Sequence, residues 1–127
     1  MNTERLLILA RALERRQRQT GKPLSMNKWG LTDKDPTPCN TAACAMGVAV
    51  RIPELQKQGL GKKTVDVYAI TYRKFEDYRA AQEFFNLSPA ETHRLFNPLS
   101  YTNYLEVKPR TVADRIRRLI KSHQIRA

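Results

Sequence analysis

The stretch TVADRIRRLIK, Thr111 to Lys121, carries apolar side chains at Val112, Ile116, Leu119 and Ile120 and basic ones at Arg117, Arg118 and Lys121. Apolar residues recurring at three- and four-residue spacing define one face of an α-helix. With Arg110, the basic set falls opposite that stripe, so packing and charge are compatible on one rod. The helix is expected to begin near Pro109 or Thr111, with Asp114 available for a reciprocal cap.

The other end of the chain repeats this design. Leu6, Leu9, Ala10 and Leu13 recur at helical spacing, while Arg11, Glu14, Arg15 and Arg18 point elsewhere. Asn2 and Thr3 are the capping candidates, and Gly21 followed by Pro23 stops the helix after about Gln19. Arg11, Arg15 and Arg18 form a second basic ridge, with Arg16 nearby.

Between these rods the reading is mixed. Residues 22–38 read as an ordered loop pinned to the core by Met26 and Trp29. Thr41 to Arg51 is so poor in polar residues that it predicts a buried central helix, continued from Pro53 to Gln58. Gly59-Leu60 then reads as a left-handed cap followed by an apolar contact. Thr64 to Tyr72 (TVDVYAITY) is β-branched and aromatic, and one strand needs a partner, for which Tyr101 to Val107 is the candidate. Phe75 to Phe85 predicts a helix capped by Asn86. Ser88-Pro89-Ala90-Glu91 starts another, with cap, first-turn proline and capping-box glutamate in place, and Asn97-Pro98 ends it. The expected fold is mainly α: a compact single-domain helical bundle of about five helices over residues 1–127, with one short two-stranded β element. Residues 107–127 form its basic C-terminal helix.

Charge is the outlying property of the composition. The chain has 23 Lys and Arg against 12 Asp and Glu, for a net +11 in 127 residues. Residues 1–22 hold six basic and two acidic residues, and residues 107–127 hold seven and one, so the middle is nearly neutral. Such a field favours contact with a polyanion. Arginine predominates, and its planar fork suits phosphate or carboxylate recognition better than lysine does. Charge ridges on amphipathic helices are most often solvated faces. Thirteen basic against three acidic residues across both ends moves the expectation past that reading. If the terminal helices pack side by side, Arg11, Arg15, Arg18, Arg110, Arg117, Arg118 and Lys121 define a nucleic-acid-binding strip.

The candidates for chemistry are weaker. A thiolate at Cys39 or Cys44 near a helix start would have its pKa lowered, as a nucleophile requires. Alanine-rich surroundings instead suggest that Cys44 is a small core residue. A Cys39–Cys44 disulfide requires Cys39 to lie outside the helix. A zinc site from Cys39, Cys44, His93 and His123 is chemically allowed, but C-x4-C and H-x29-H match no usual finger, ribbon or knuckle. His123 continues the apolar stripe of the last helix as an edge-of-core residue, and neither histidine has an obvious acidic orienting partner in sequence. Tyr78 to Phe96 superficially suggests a helix-turn-helix, but the position where the motif needs a small residue falls on Gln82 while the alanines are Ala80 and Ala81, so core packing is the better reading. Tyr101 and Tyr104, with Asn103 between, suit base stacking if exposed and loop anchoring if not. No phosphate loop, carboxylate pair or serine triad signature is present, and no cofactor or metal is expected.

No apolar run reaches bilayer length, and the charge from Arg11 to Arg18 sits where a signal peptide would be cleaved. Two cysteines fit a reducing compartment. A cytoplasmic location, in a bacterium or a phage-infected host cell, is the expectation.

The chain also resembles a family of small bacterial and phage proteins. Its pattern is a loop with Met and Trp, a C-G-T-x-A-C-x-x-G box, a Pro and a Gly-Leu, F-F-G-L-S, L-F-x-P and T-x-x-V-A-x-R-I. The matches here are Met26 and Trp29, Cys39 to Cys44 with Gly47, Pro53, Gly59-Leu60, Phe84 to Ser88, Leu95 to Pro98, and Thr111 to Ile116, where T-V-A-D-R-I lacks the two residues that the pattern has between Thr and Val. Asn40 and Asn86 stand where the pattern has glycine, and asparagine tolerates left-handed geometry best among the alternatives. The resemblance implies a compact helical domain and assigns no activity; the strong basicity is not part of its pattern. Two functional expectations remain. One is a non-enzymatic nucleic-acid-associated protein binding DNA or RNA backbone phosphates. The other is a protein-binding module or inhibitor docking on an acidic host protein or nucleoprotein. A cysteine-dependent enzyme ranks third.

Overall fold

The computed structural model describes residues 1–24, 26, 44–63, 69–103 and 106–126. It is mainly helical, with six α-helices among those residues: α1 Thr3–Gln19, α2 Ala45–Ala49, α3 Pro53–Gln56, α4 Asp77–Phe85, α5 Pro89–Phe96 and α6 Pro109–Arg126. A single 3₁₀ turn, Pro98–Ser100, follows α5. Three short strands, β1 Gly61–Lys63, β2 Ala69–Tyr72 and β3 Phe75–Glu76, form an antiparallel sheet with β2 in the middle.

The helix boundaries follow local chemistry. The Asn2 side chain accepts a hydrogen bond from the Arg5 amide at 3.0 Å and caps α1. At α5 the capping box is complete: Ser88 Oγ accepts from the Glu91 amide at 3.1 Å, and Glu91 Oε1 accepts from the Ser88 amide at 2.8 Å. Asn86 ends α4 in the left-handed region, with φ 52°. Gly59 takes φ 106°, a conformation that L side chains rarely adopt, and a Cβ there would also sit tightly against the Tyr72 ring at 3.3 Å.

Three expectations are corrected. The partner of β2 is not Tyr101–Val107. Gly61–Lys63 pairs with it on one side, in register Gly61↔Thr71, and Phe75–Glu76 on the other. Val107 instead forms an isolated bridge with Leu24, through reciprocal amide–carbonyl bonds of 2.6 and 2.8 Å. Local hairpin closure explains the outcome, because pairing neighbours in sequence closes shorter loops. The same hairpin takes Phe75 and Glu76 from the expected start of α4, which begins at Asp77. The third correction concerns the predicted second helix: its described part runs only from Ala45 to Ala49, and Pro53–Gln56 is a separate short helix. Thr41 to Ala43, together with Trp29, Cys39 and Tyr104, lie outside the described residues.

The core joins these elements along two seams. The most extensive pairing is α1 with α6, where Leu6, Leu9, Ala10 and Leu13 bury against the element bearing Val112, Ile116, Leu119 and Ile120. The second seam is aromatic. Tyr72 packs edge-on to Phe84 at 5.0 Å, Phe84 edge-on to Phe85 at 5.1 Å, and Phe85 stacks on Phe96 at 5.8 Å, linking β2, α4 and α5. Arg5 closes the corner between them. Its Nη1 donates to the Phe84 carbonyl at 2.8 Å, its Nε donates to Gln58 Oε1 at 2.7 Å, and its guanidinium lies 4.3 Å from the Phe84 ring centre.

Candidate functional site

The terminal helices are adjacent and antiparallel. The Arg110 amide, in the first turn of α6, donates to Gln17 Oε1 of α1 at 3.3 Å. About two turns along, Arg117 meets Glu14 in a two-pronged pair: Nε to Oε2 and Nη2 to Oε1, both at 2.8 Å. As α6 advances from 110 to 117, its partner on α1 recedes from 17 to 14.

This packing sorts the basic residues onto three surfaces. Along the α1–α6 seam, Arg18 and Arg110 line one shallow groove with Glu14, Gln17 and Asp114. Residues 110, 114, 117 and 121 are spaced for one flank of α6, so exposed Lys121 lies one turn beyond Arg117. Arg11 and Arg18 both lie close enough to Glu14 to help hold its carboxyl below the usual range, after the direct hydrogen bond from Arg117. Exposed Arg15 turns to a second groove, with Arg11, Arg51 and Glu54. Arg118 turns to a third, between α5 and α6, with Arg94 and Arg115.

The ridges therefore join, but not as one uniform strip. Arg18, Arg110 and Arg117 share the seam with Lys121 one turn beyond, and Arg11 lines the second groove while lying near enough to Glu14 to act on its charge. Arg15 and Arg118 flank it on separate faces. Carboxylates of Glu14 and Asp114 interrupt the seam, and Arg117 is already engaged by one of them.

The remaining candidates have defined places. Cys44 is buried and caps α2, its Sγ accepting from the Gly47 amide at 3.4 Å. Burial pushes its thiol up to about 12, so it is a protonated core side chain rather than a nucleophile. Tyr101 is buried, with its hydroxyl donating to the Leu95 carbonyl at 2.6 Å, and it anchors its loop rather than stacking on bases. Asn103 is exposed. Among the described residues no three metal-ligating side chains cluster. No helix among them is long and apolar enough to cross a membrane.

Two partners escaped the sequence. His123 Nε2 lies 2.6 Å from Glu91 Oε2, joining the last turns of α6 to the start of α5. Glu91 is partly buried, which raises its pKa, but the Ser88 and His123 hydrogen bonds outweigh burial and hold it below the usual range. Arg94 and Arg115 were also missed. Helical spacing carries a signal for Arg115, since residues 115, 118 and 122 share a flank distinct from that of 110, 117 and 121. That α5 faces this flank is a tertiary fact.

No protein-family model, curated protein or solved structure matches this chain.

Proposed function

We propose that this protein is a non-enzymatic, nucleic-acid-associated single helical domain, bundle-like in arrangement, that tracks a phosphate backbone along the α1–α6 seam. The observation that supports this most is the antiparallel contact of α1 with α6, which brings arginines from opposite ends of the chain to one groove. From Arg110 to Lys121 the flank extends about 16 Å, at 1.5 Å per helical residue. Several phosphates can be met along it without any base contact.

The contacting groups in this reading are Arg11, Arg18, Arg110 and Lys121. Arg117 joins them when a phosphate displaces Glu14, while Arg15 and Arg118 extend the field on either side. Both DNA and RNA fit, since no base-reading element is invoked. The protein works in the cytoplasm of a bacterium or a phage-infected cell, without cofactor or membrane.

Binding to mixed-sequence DNA should weaken linearly on a log–log salt plot, with a slope near −0.9 for each phosphate neutralised on duplex DNA. Fluorescence anisotropy across a salt series measures this. Binding that ignores salt, or is absent, refutes the reading. A second reading has one observation in its favour: Glu14 already satisfies Arg117 with a carboxylate, so an acidic protein surface suits the seam chemically. A stoichiometric protein retained on the bait after nuclease treatment, with no affinity for nucleic acid, would select that reading instead.

A further inference from the structure

The third basic surface differs from the seam in kind. It is an open cleft of about 640 Å³ between α5 and α6, within the range of small-ligand sites. Arg94, Arg115 and Arg118 line it with His93, Ser100 and Ser122, and no carboxylate is among its lining residues. Glu91, three residues before Arg94, is committed to Ser88 and His123, and Asp114, next to Arg115 in sequence, lines the α1–α6 groove instead.

One of the three guanidinium groups is held in place. Arg115 Nη1 donates to the Arg94 carbonyl at 3.0 Å, and its guanidinium lies 3.8 Å from the centre of the buried Tyr101 ring. The tautomer of His93 is also fixed. Asn97 Oδ1 accepts from the Leu99 amide at 2.8 Å, which orients the Asn97 amide nitrogen toward His93 Nδ1 at 3.1 Å. That amide donates, so Nδ1 accepts and the ring proton sits on Nε2, leaving His93 a donor among the cleft residues. Ser100 is occupied differently, its hydroxyl donating to the His93 carbonyl at 2.8 Å.

Three arginines and a histidine donor in a cleft lined by no carboxylate form a receptor for a compact anion with several acceptor oxygens. A phosphate monoester has three such oxygens and a charge of roughly −1.5 to −2 at neutral pH. A backbone diester has a single charge and only two free oxygens. We infer that the α5–α6 cleft binds a phosphate monoester, with Arg94, Arg115 and Arg118 as its cationic ligands. The monoester is carried either at the end of a nucleic-acid strand or on a free mononucleotide. The strand-end version rests on the phosphate-tracking function proposed above; the mononucleotide version stands without it.

The test compares one short single-stranded DNA with and without a 5′-phosphate, by anisotropy, and titrates adenosine monophosphate and adenosine separately by calorimetry. The phosphorylated strand should bind about tenfold more tightly, the scale of a charged hydrogen-bonded group. Exposed Arg94→Ala and Arg118→Ala should each reduce that preference to about twofold or less, with melting curves confirming that both variants fold. If the monophosphate binds in an Arg94-dependent way while the strands bind equally, the ligand is a free nucleotide. A strand preference that the monophosphate does not compete away assigns the cleft to strand ends. Equal binding of the two strands, with no Arg94-sensitive binding of monophosphate, overturns the inference. So does a preference that both alanine variants leave intact. Loss of salt-dependent binding to the unphosphorylated strand is a separate result, and it bears on the seam alone.

Discussion

The two flanks of α6 carry similar numbers of arginines and differ in everything around them. Toward α1, Arg110 and Arg117 stand among Glu14, Asp114 and Gln17, and one guanidinium is bound by a carboxylate through two hydrogen bonds. Toward α5, Arg115 and Arg118 stand with Arg94 in a cleft lined by no acid, the neighbouring Glu91 being held by Ser88 and His123, and Arg115 is anchored by a backbone carbonyl and an aromatic ring. The first flank is partly neutralised and extended, suited to a repeating backbone. The second is uncompensated and recessed, suited to one dense anion. Arginine content alone does not separate these roles; the neighbours of each guanidinium do.

The change expected to break the comparison most severely is Tyr101→Ala. It removes a buried ring and the platform for Arg115, and the loss is about 3–5 kcal/mol by the scale of buried aromatic truncations. Denaturant unfolding measures it. A near-neutral result would mean that the cleft is not built on Tyr101. Next in size is the double reversal Arg18→Glu with Arg110→Glu, both on the groove of the seam. Affinity for the unphosphorylated strand should fall about 100-fold at low salt, with a shallower salt slope, while the monoester preference of the cleft persists. Equal loss in both assays would merge the two surfaces into one.

Smaller changes sharpen the contrast. Ser88→Ala removes the cap of α5, the helix that supplies Arg94, and should lower stability by about 1 kcal/mol. Glu14→Gln tests the seam more finely. It frees Arg117, so affinity for nucleic acid should rise about threefold and stability should change by less than about 1 kcal/mol, as for other exposed pairs. An unchanged affinity would remove Arg117 from the seam's working set.

The smallest expected effect is on pH dependence. Glu14 and Glu91 are both held below the ordinary carboxyl value of 4.5 in the folded chain. Their contribution is therefore complete above that value and is lost as pH falls through the lowered native pKa. Stability measured from neutral pH down through the acid range should decline more gently in Glu91→Gln than in the parent chain. A parallel decline would show that the Glu91 contacts with Ser88 and His123 contribute nothing to folding.

Much of this molecule was legible because its signals are local. The caps at Asn2 and Ser88, the left-handed Asn86, the apolar stripes of α1 and α6 and the break at Asn97-Pro98 each depend on residues within a few positions. The sheet was less legible. TVDVYAITY announces a strand, but Gly61-Lys62-Lys63 and Phe75-Glu76 look like neither edge, because a two- or three-residue edge strand is held by the ladder of its neighbour. The candidate seam was readable as two ridges, since each obeys the period of its own helix.

Their meeting was not readable. Sequence by itself determined the net charge of +11, its concentration at both ends and the amphipathic form of the two rods. Only the tertiary structure decided that the rods run antiparallel, that Glu14 takes Arg117, and that Arg94 completes a cleft with Arg115 and Arg118. The physical reason is range. Helical periodicity and capping act over one or two turns, whereas those three outcomes join residues between 21 and 103 positions apart, set by how the buried faces pack.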